Sequence, residues 1–210
     1  MSINLSQRKV QFKTDNFYSI LDNLYLSDQI PSFDEDTLNS NNIKYLVNLT
    51  KTTPFLFKNT SNYHIKFMNN IDSYSSGKLI QKIDETIKHI FKLLLNKKGV
   101  LIYCENGFSK SLVIVMCFLI KYYSSTKILD IEDTVTFIKW KTGIDNIDSC
   151  VTMNVVKLYR NYLIEKRDSG YGFEKEYTSE SSNGSSEEER IKNKRTKIIK
   201  LIQNHLTKKH

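Results

Sequence analysis

Two wholly apolar runs flank one polar loop near the middle of this chain, and few folds accommodate that arrangement. Residues 100–103 (VLIY) are too short for a helix and read as a strand with no solvent-facing position. Residues 112–120 (LVIVMCFLI) hold no polar residue, yet this run is about half of the roughly 20 residues that cross a bilayer, so it reads as a buried helix. Between them lies CENGFSKS, residues 104–111. A buried strand feeding a buried helix through a polar loop belongs inside a layered α/β domain.

The flanking segments agree. Residues 17–29 (FYSILDNLYLSDQ) alternate apolar and polar side chains as a hairpin or half-buried strand does. Pro31 and the acids Asp34, Glu35 and Asp36 open a short helix. IKYLVNLT (43–50) and YHIKFM (63–68) read as strands. Leu79, Ile80, Ile83, Ile87, Ile90, Phe91, Leu94 and Leu95 repeat at helical spacing, and 96–99, ending in glycine, form the expected C-cap. Helices are predicted over about 130–141 and about 150–165. Alternating strands and helices predict an α/β body with a mainly parallel central sheet flanked by helices.

Charge divides the chain further. Of 31 Lys and Arg, eight lie in 190–210, which has no acid; the remaining 23 balance the 23 Asp and Glu. The net charge of +8 therefore belongs to the tail, and a neutral body argues against a fold wrapped around nucleic acid. The expected organisation is an N-terminal extension (1–16), a folded domain (17–167), a Ser/Glu-rich disordered linker (168–189) and a basic amphipathic tail (190–210). That tail reads either as a solvated basic segment or as a helix for an anionic membrane, nucleic acid or a partner. The polar N-terminus does not resemble a signal peptide, and three cysteines without a CxxC pair suggest a reducing compartment rather than a disulfide framework or zinc site. The expected location is the cytoplasm, with the nucleus left open by KNKRTK (192–197). Oligomeric state is not legible.

The chemistry lies in the loop. Between a strand and a helix N-terminus, successive backbone N–H groups converge on one point and the helix dipole adds to them, which suits a tetrahedral oxyanion. Gly107 permits the positive φ of a tight loop. Cys104 opens the loop, where the same groups stabilise a thiolate, so nucleophile and phosphate site coincide. Cys117 and Cys150 sit in helical stripes and read as core, and His64 and His89 read as structural.

At this point the sequence resembles the dual-specificity branch of the cysteine-based protein tyrosine phosphatases. Their signature is His-Cys, five residues, Arg and Ser/Thr; here it stands as Tyr103-Cys104-ENGFS-Lys110-Ser111. NLYLSD (23–28), NIKYLVNLT (42–50), the Asp72 loop and the apolar helix follow the family's order, and the likeness covers about residues 17–165. It implies that Cys104 is the nucleophile of a phosphocysteine intermediate. The backbone of Glu105, Asn106, Gly107, Phe108, Ser109 and Lys110 would hold the phosphoryl oxygens. Ser111 would donate to the sulfur, and Asp72 would be the general acid. No metal or cofactor is implied, and the implied partner is a phosphorylated protein.

Two departures stand at central positions. Lys110 replaces an arginine whose planar fork grips two phosphoryl oxygens; losing one such preorganised contact costs about 2.7–4 kcal/mol. Tyr103 replaces a histidine that helps keep the thiol ionised, so Cys104 is expected near the ordinary thiol range. Read from the residues alone, Asp72 also fits a plain loop carboxylate, Lys110 a solvated helix-start lysine, and Glu105 a side chain pointing into solvent. WKTGIDNID (140–148) departs from the family's basic stretch before its last helix, and Asp145 and Asp148 make that rim less welcoming to phosphate. Three functions follow: a dual-specificity phosphatase of low activity, a pseudophosphatase that captures phosphoproteins, and, more weakly, an RNA 5′-phosphatase.

Overall fold

The computed structural model describes residues 16–50, 61–64, 76–122, 128–145, 147 and 150–169. The alternating segment at 17–29 is a hairpin: β1 (Phe17–Leu21) and β2 (Leu24–Ser27) pair antiparallel. Their turn holds Asn23 at φ 65°, a left-handed conformation that asparagine tolerates better than most side chains. A 3-10 turn follows at Pro31–Phe33. Asp34 then caps α1 (Glu35–Ser40), its carboxylate accepting from the Asp36 N–H, with Glu35 and Asp36 in the first turn where the helix dipole favours acids.

The remaining elements are β3 (Ile43–Asn48), β4 (Ser61–His64), α2 (Ser76–Leu95), β5 (Gly99–Tyr103), α3 (Lys110–Tyr122), α4 (Ile131–Thr142) and α5 (Cys150–Asp168). The strand expected at 63–68 begins two residues earlier, and 65–68 lie outside the described residues. The Asp72 loop, residues 1–15 and 170–210 also lie outside them, so the expected extension, most of the linker and the basic tail have no structural account. Among the described residues no helix is long and apolar enough to cross a membrane.

The five strands run in the order β1-β2-β5-β3-β4, with β2–β5, β5–β3 and β3–β4 all parallel. The VLIY strand is therefore the middle one, and every one of its residues is buried. Its side chains alternate between two layers. Val100 and Ile102 join the large core with Leu24, Leu26 and Val47, under the apolar faces of α2, α3, α4 and α5. Leu101 and Tyr103 face a smaller cluster with Leu38 of α1 and Ile43 and Leu46. Ile43 and Leu46 share that side, although three apart, because the β3–β5 register shifts between Ile43 and Tyr45.

The end of α2 falls inside the expected 96–99 segment, but Gly99 is not its left-handed residue. Lys97 takes the left-handed conformation, φ 54°, while the Lys97 and Lys98 N–H groups return to the carbonyls of Leu94 and Leu93. Gly99 instead opens β5, where a Cβ would stand 2.4 Å from the Asn42 carbonyl oxygen. Close backbone approach, not helix termination, requires glycine there.

Helix α3 is buried from Ser111 to Tyr122, as its composition demands. One of its buried residues is Lys121, whose ammonium lies 2.8 Å from Asp84 Oδ1 on α2. Tyr159 of α5 donates to the same oxygen at 2.7 Å, and Lys88 reaches Oδ2 at 3.1 Å. Burial alone would raise the Asp84 pKa; the Lys121 charge and hydrogen bond, then Tyr159 and Lys88, hold it below the ordinary carboxylate value. The group joins three helices beneath the sheet.

Candidate active site

The carboxyl ends of parallel strands are where open α/β sheets collect ligands. Here β5 delivers Cys104 to that edge, directly after the strand's last residue, and the chain turns within 105–109 into α3. The turn is tight because Gly107 adopts φ 75° and lies against the end of β2; a Cβ there would stand 2.8 Å from the Asp28 nitrogen and 3.0 Å from the Ser27 carbonyl carbon. A left-handed φ and a missing side chain are required together. On the loop's outer side the Phe108 ring leans on Tyr18 of β1, centroids 6.3 Å apart.

The sulfur of Cys104 is buried, and three polar side-chain atoms stand near it: Ser111 Oγ at 3.1 Å, Asn106 Oδ1 at 3.4 Å and Ser109 Oγ at 3.8 Å. Burial pushes the thiol up, but the Ser111 hydroxyl, the N–H groups of Ser111 and Ser109 and the Ser109 hydroxyl outweigh it. Cys104 titrates below its ordinary value. The N–H groups, the helix dipole and, through the resemblance, the Ser111 hydroxyl were expected at the sulfur; the Ser109 hydroxyl adds to them. Ser111 Oγ also donates to the Gly107 carbonyl at 2.9 Å. A hydroxyl has one hydrogen. Against a neutral thiol it serves Gly107; against a thiolate the same hydrogen turns to sulfur.

Tyr103 lies on the opposite side of the strand, in the α1 layer, 1% exposed. Burial drives its hydroxyl up to about 12, with a hydrogen bond to Ser32 acting the other way. It carries no charge at physiological pH and so gives the thiolate none of the help an imidazolium would.

Lys110, the first residue of α3, is not a solvated helix-start lysine. Its side chain is 17% exposed, and its ammonium stands 3.3 Å from Glu105 Oε2, 3.4 Å from Oε1 and 3.4 Å from the Leu49 carbonyl oxygen. Glu105 is exposed, as expected, and its carboxylate also pairs with Lys110. Asn106, itself exposed, bonds within the loop: its Oδ1 accepts from the Phe108 N–H at 3.2 Å and from Ser109 Oγ at 3.1 Å. Neither side-chain role was legible; an Asx-type contact two residues on is a local signal that suggests the second.

Elsewhere, Cys117 is buried in the core as expected, while the Cys150 side chain lies outside the described residues. His89 is half-buried on α2, its pKa lowered by burial and then by Lys92. Trp140 and Lys141 end α4, with the Lys141 ammonium over the Trp140 ring at 4.8 Å, and Gly143 closes the helix at φ 69°. Asp145 is exposed beyond it, and Asp148 lies outside the described residues.

A cysteine at the end of the central parallel strand, in a turn that leads into a buried helix, is the architecture of the cysteine-based protein tyrosine phosphatases. The profile of the dual specificity phosphatase catalytic domain matches residues 24–149, and the chain belongs to that family. Human dual specificity protein phosphatase 9 is 26% identical over 150 residues, 71% of this chain and 38% of that protein. Human dual specificity protein phosphatase 7 is 30% identical over 122 residues, 58% of this chain and 28% of that protein. The chain thus spans about a third of the length of the curated relatives it matches. A crystal structure of human DUSP28 carrying a tyrosine-to-histidine substitution superposes with a TM-score of 0.61 at 12% identity, over 72% of this chain and 98% of that one. The human tyrosine phosphatase-like serine/threonine/tyrosine-interacting protein gives 0.59 at 14%, over 70% and 97%. At these identities the two structures speak for the fold.

Proposed function

We propose that the domain is a phosphoprotein phosphatase of dual specificity whose turnover is slowed by Lys110. The observation that carries this reading is the Cys104 sulfur, held 3.1 Å from the Ser111 hydroxyl at the N-terminus of a buried helix. In the proposed reaction the thiolate attacks phosphorus and the P–O bond to the side chain breaks. Asp72 gives its proton to the departing oxygen. Water then attacks the phosphocysteine, Asp72 takes the proton, and the Ser111 hydroxyl donates to the leaving sulfur. A second reading, capture of phosphoproteins without turnover, is favoured by Lys110 itself: a single mobile ammonium, already engaged by Glu105, replaces a preorganised fork.

Hydrolysis of an aryl phosphate across pH separates the two. Slow wild-type turnover, a gain of about tenfold to a hundredfold in Lys110→Arg, and none in Cys104→Ser support the enzyme. If wild type and Lys110→Arg are both inert while tungstate still binds, capture is the function.

A further inference from the structure

A cradle for an oxyanion should present donors with nothing in front of them. In this loop two of the donors, the Phe108 N–H and the Ser109 hydroxyl, are already engaged, and by the loop's own side chain. Asn106 Oδ1 receives the Phe108 N–H and the Ser109 hydroxyl and stands 3.4 Å from the Cys104 sulfur. The Phe108 N–H can only donate, so it fixes the carboxamide with its oxygen, not its nitrogen, toward this point. An oxygen accepting from the loop amide and hydroxyl, beside the sulfur, is placed as an oxygen of a phosphoryl group about to be attacked would be placed. The loop cation is engaged in parallel, with the Glu105 carboxylate 3.3 Å from Lys110.

We propose that Asn106 is an internal occupant of the phosphate cradle, its carboxamide oxygen standing in for a phosphoryl oxygen while Glu105 holds Lys110. This rests on the reading of the loop as an oxyanion site. Asn106 is then a positioning residue that sets the affinity threshold: a phosphoryl group must displace the carboxamide and draw Lys110 from Glu105 before the sulfur can reach phosphorus. A dianion offers several acceptors and two charges at once, and exchanges for a neutral amide oxygen more readily than a monoanion does. The same contact acts on the nucleophile. An acceptor beside the sulfur favours S–H over S⁻, so the occupied loop also keeps the thiol more protonated than the serines alone would leave it.

The alternative role for Asn106 is to shape the loop, and the two roles predict opposite signs. Calorimetric titration of the full chain with tungstate compares wild type, Asn106→Ala, Asn106→Asp and Glu105→Gln. Removing the occupant should tighten tungstate by about fivefold, the scale of one hydrogen bond. Asn106→Asp, which keeps the acceptor and adds charge, should weaken it, and Glu105→Gln should tighten it by about twofold to fivefold. Alkylation of Cys104 by iodoacetamide should shift to lower pH in Asn106→Ala. Weaker or unchanged tungstate binding in Asn106→Ala, with no shift in alkylation, overturns the proposal and makes the side chain loop scaffolding; wild-type binding then keeps the cradle itself intact. If no variant and no wild-type protein binds tungstate, the cradle reading fails and takes this inference with it.

Discussion

Helix α3 carries a lysine at each end, and the two meet carboxylates in opposite ways. Lys121 and Asp84 are both nearly inaccessible, 2.8 Å apart, with Tyr159 and Lys88 completing the carboxylate's shell. Lys110 and Glu105 are 3.3 Å apart, with the glutamate 43% exposed and five residues away in the same loop. The first pair, with Tyr159, joins three helices and is buried, so the loss of one member leaves the other's charge uncompensated. The second joins a loop to its own helix, where the exposed carboxylate is open to water. One is a clamp and the other a displaceable contact, although the residue types differ by a single methylene.

The largest effect should come from breaking the clamp. Asp84→Ala leaves the Lys121 charge buried without its counter-ion and should cost about 3–5 kcal/mol, measured by urea denaturation. If the loss is below about 1 kcal/mol, the buried pair is no clamp. The same group makes stability depend on pH. Asp84 is held below its ordinary pKa in the folded state, so its contribution is present in full above the unfolded value of about 3.9 and is lost as pH falls through the folded value. Wild-type stability should therefore drop more steeply below about pH 4 than that of Asp84→Asn.

At the other end of α3 the corresponding experiment should read on chemistry instead. Ser111→Ala removes the hydroxyl that donates to the sulfur, so the thiol pKa should rise. Iodoacetamide alkylation against pH measures this, and an unmoved profile would mean that the backbone N–H groups set the thiol alone. The smallest effect on stability belongs to Glu105→Gln, within about 1 kcal/mol, because its carboxylate is exposed to water. A loss comparable to that of Asp84→Ala would erase the distinction between the two lysines.

Much of this was legible before any fold was known. The hairpin, the central strand, the buried helix and the ends of α4 and α5 follow from periodicity and composition, which report burial directly. The place of Cys104 and Gly107 in a strand-to-helix loop was legible from the residues, whereas Ser111 beside the sulfur came only from the family resemblance. Three features were not. Gly99 looks like a helix cap in one dimension and proves to be a contact between strands. Asp84 and Lys121 look like ordinary surface charges of two helices and meet in the core. Glu105 looks solvent-bound and is exposed, but its pairing with Lys110 shows only once the loop curls.

Sequence alone thus determined the layers, the order of elements and the loop that carries the proposed nucleophile, because each depends on local pattern or on side-chain chemistry. Tertiary structure decided which charges face each other and which donors are already engaged. Those depend on distances between residues that sequence separation does not encode: 37 positions for Lys121 and Asp84, and one turn of loop for Asn106 and the sulfur.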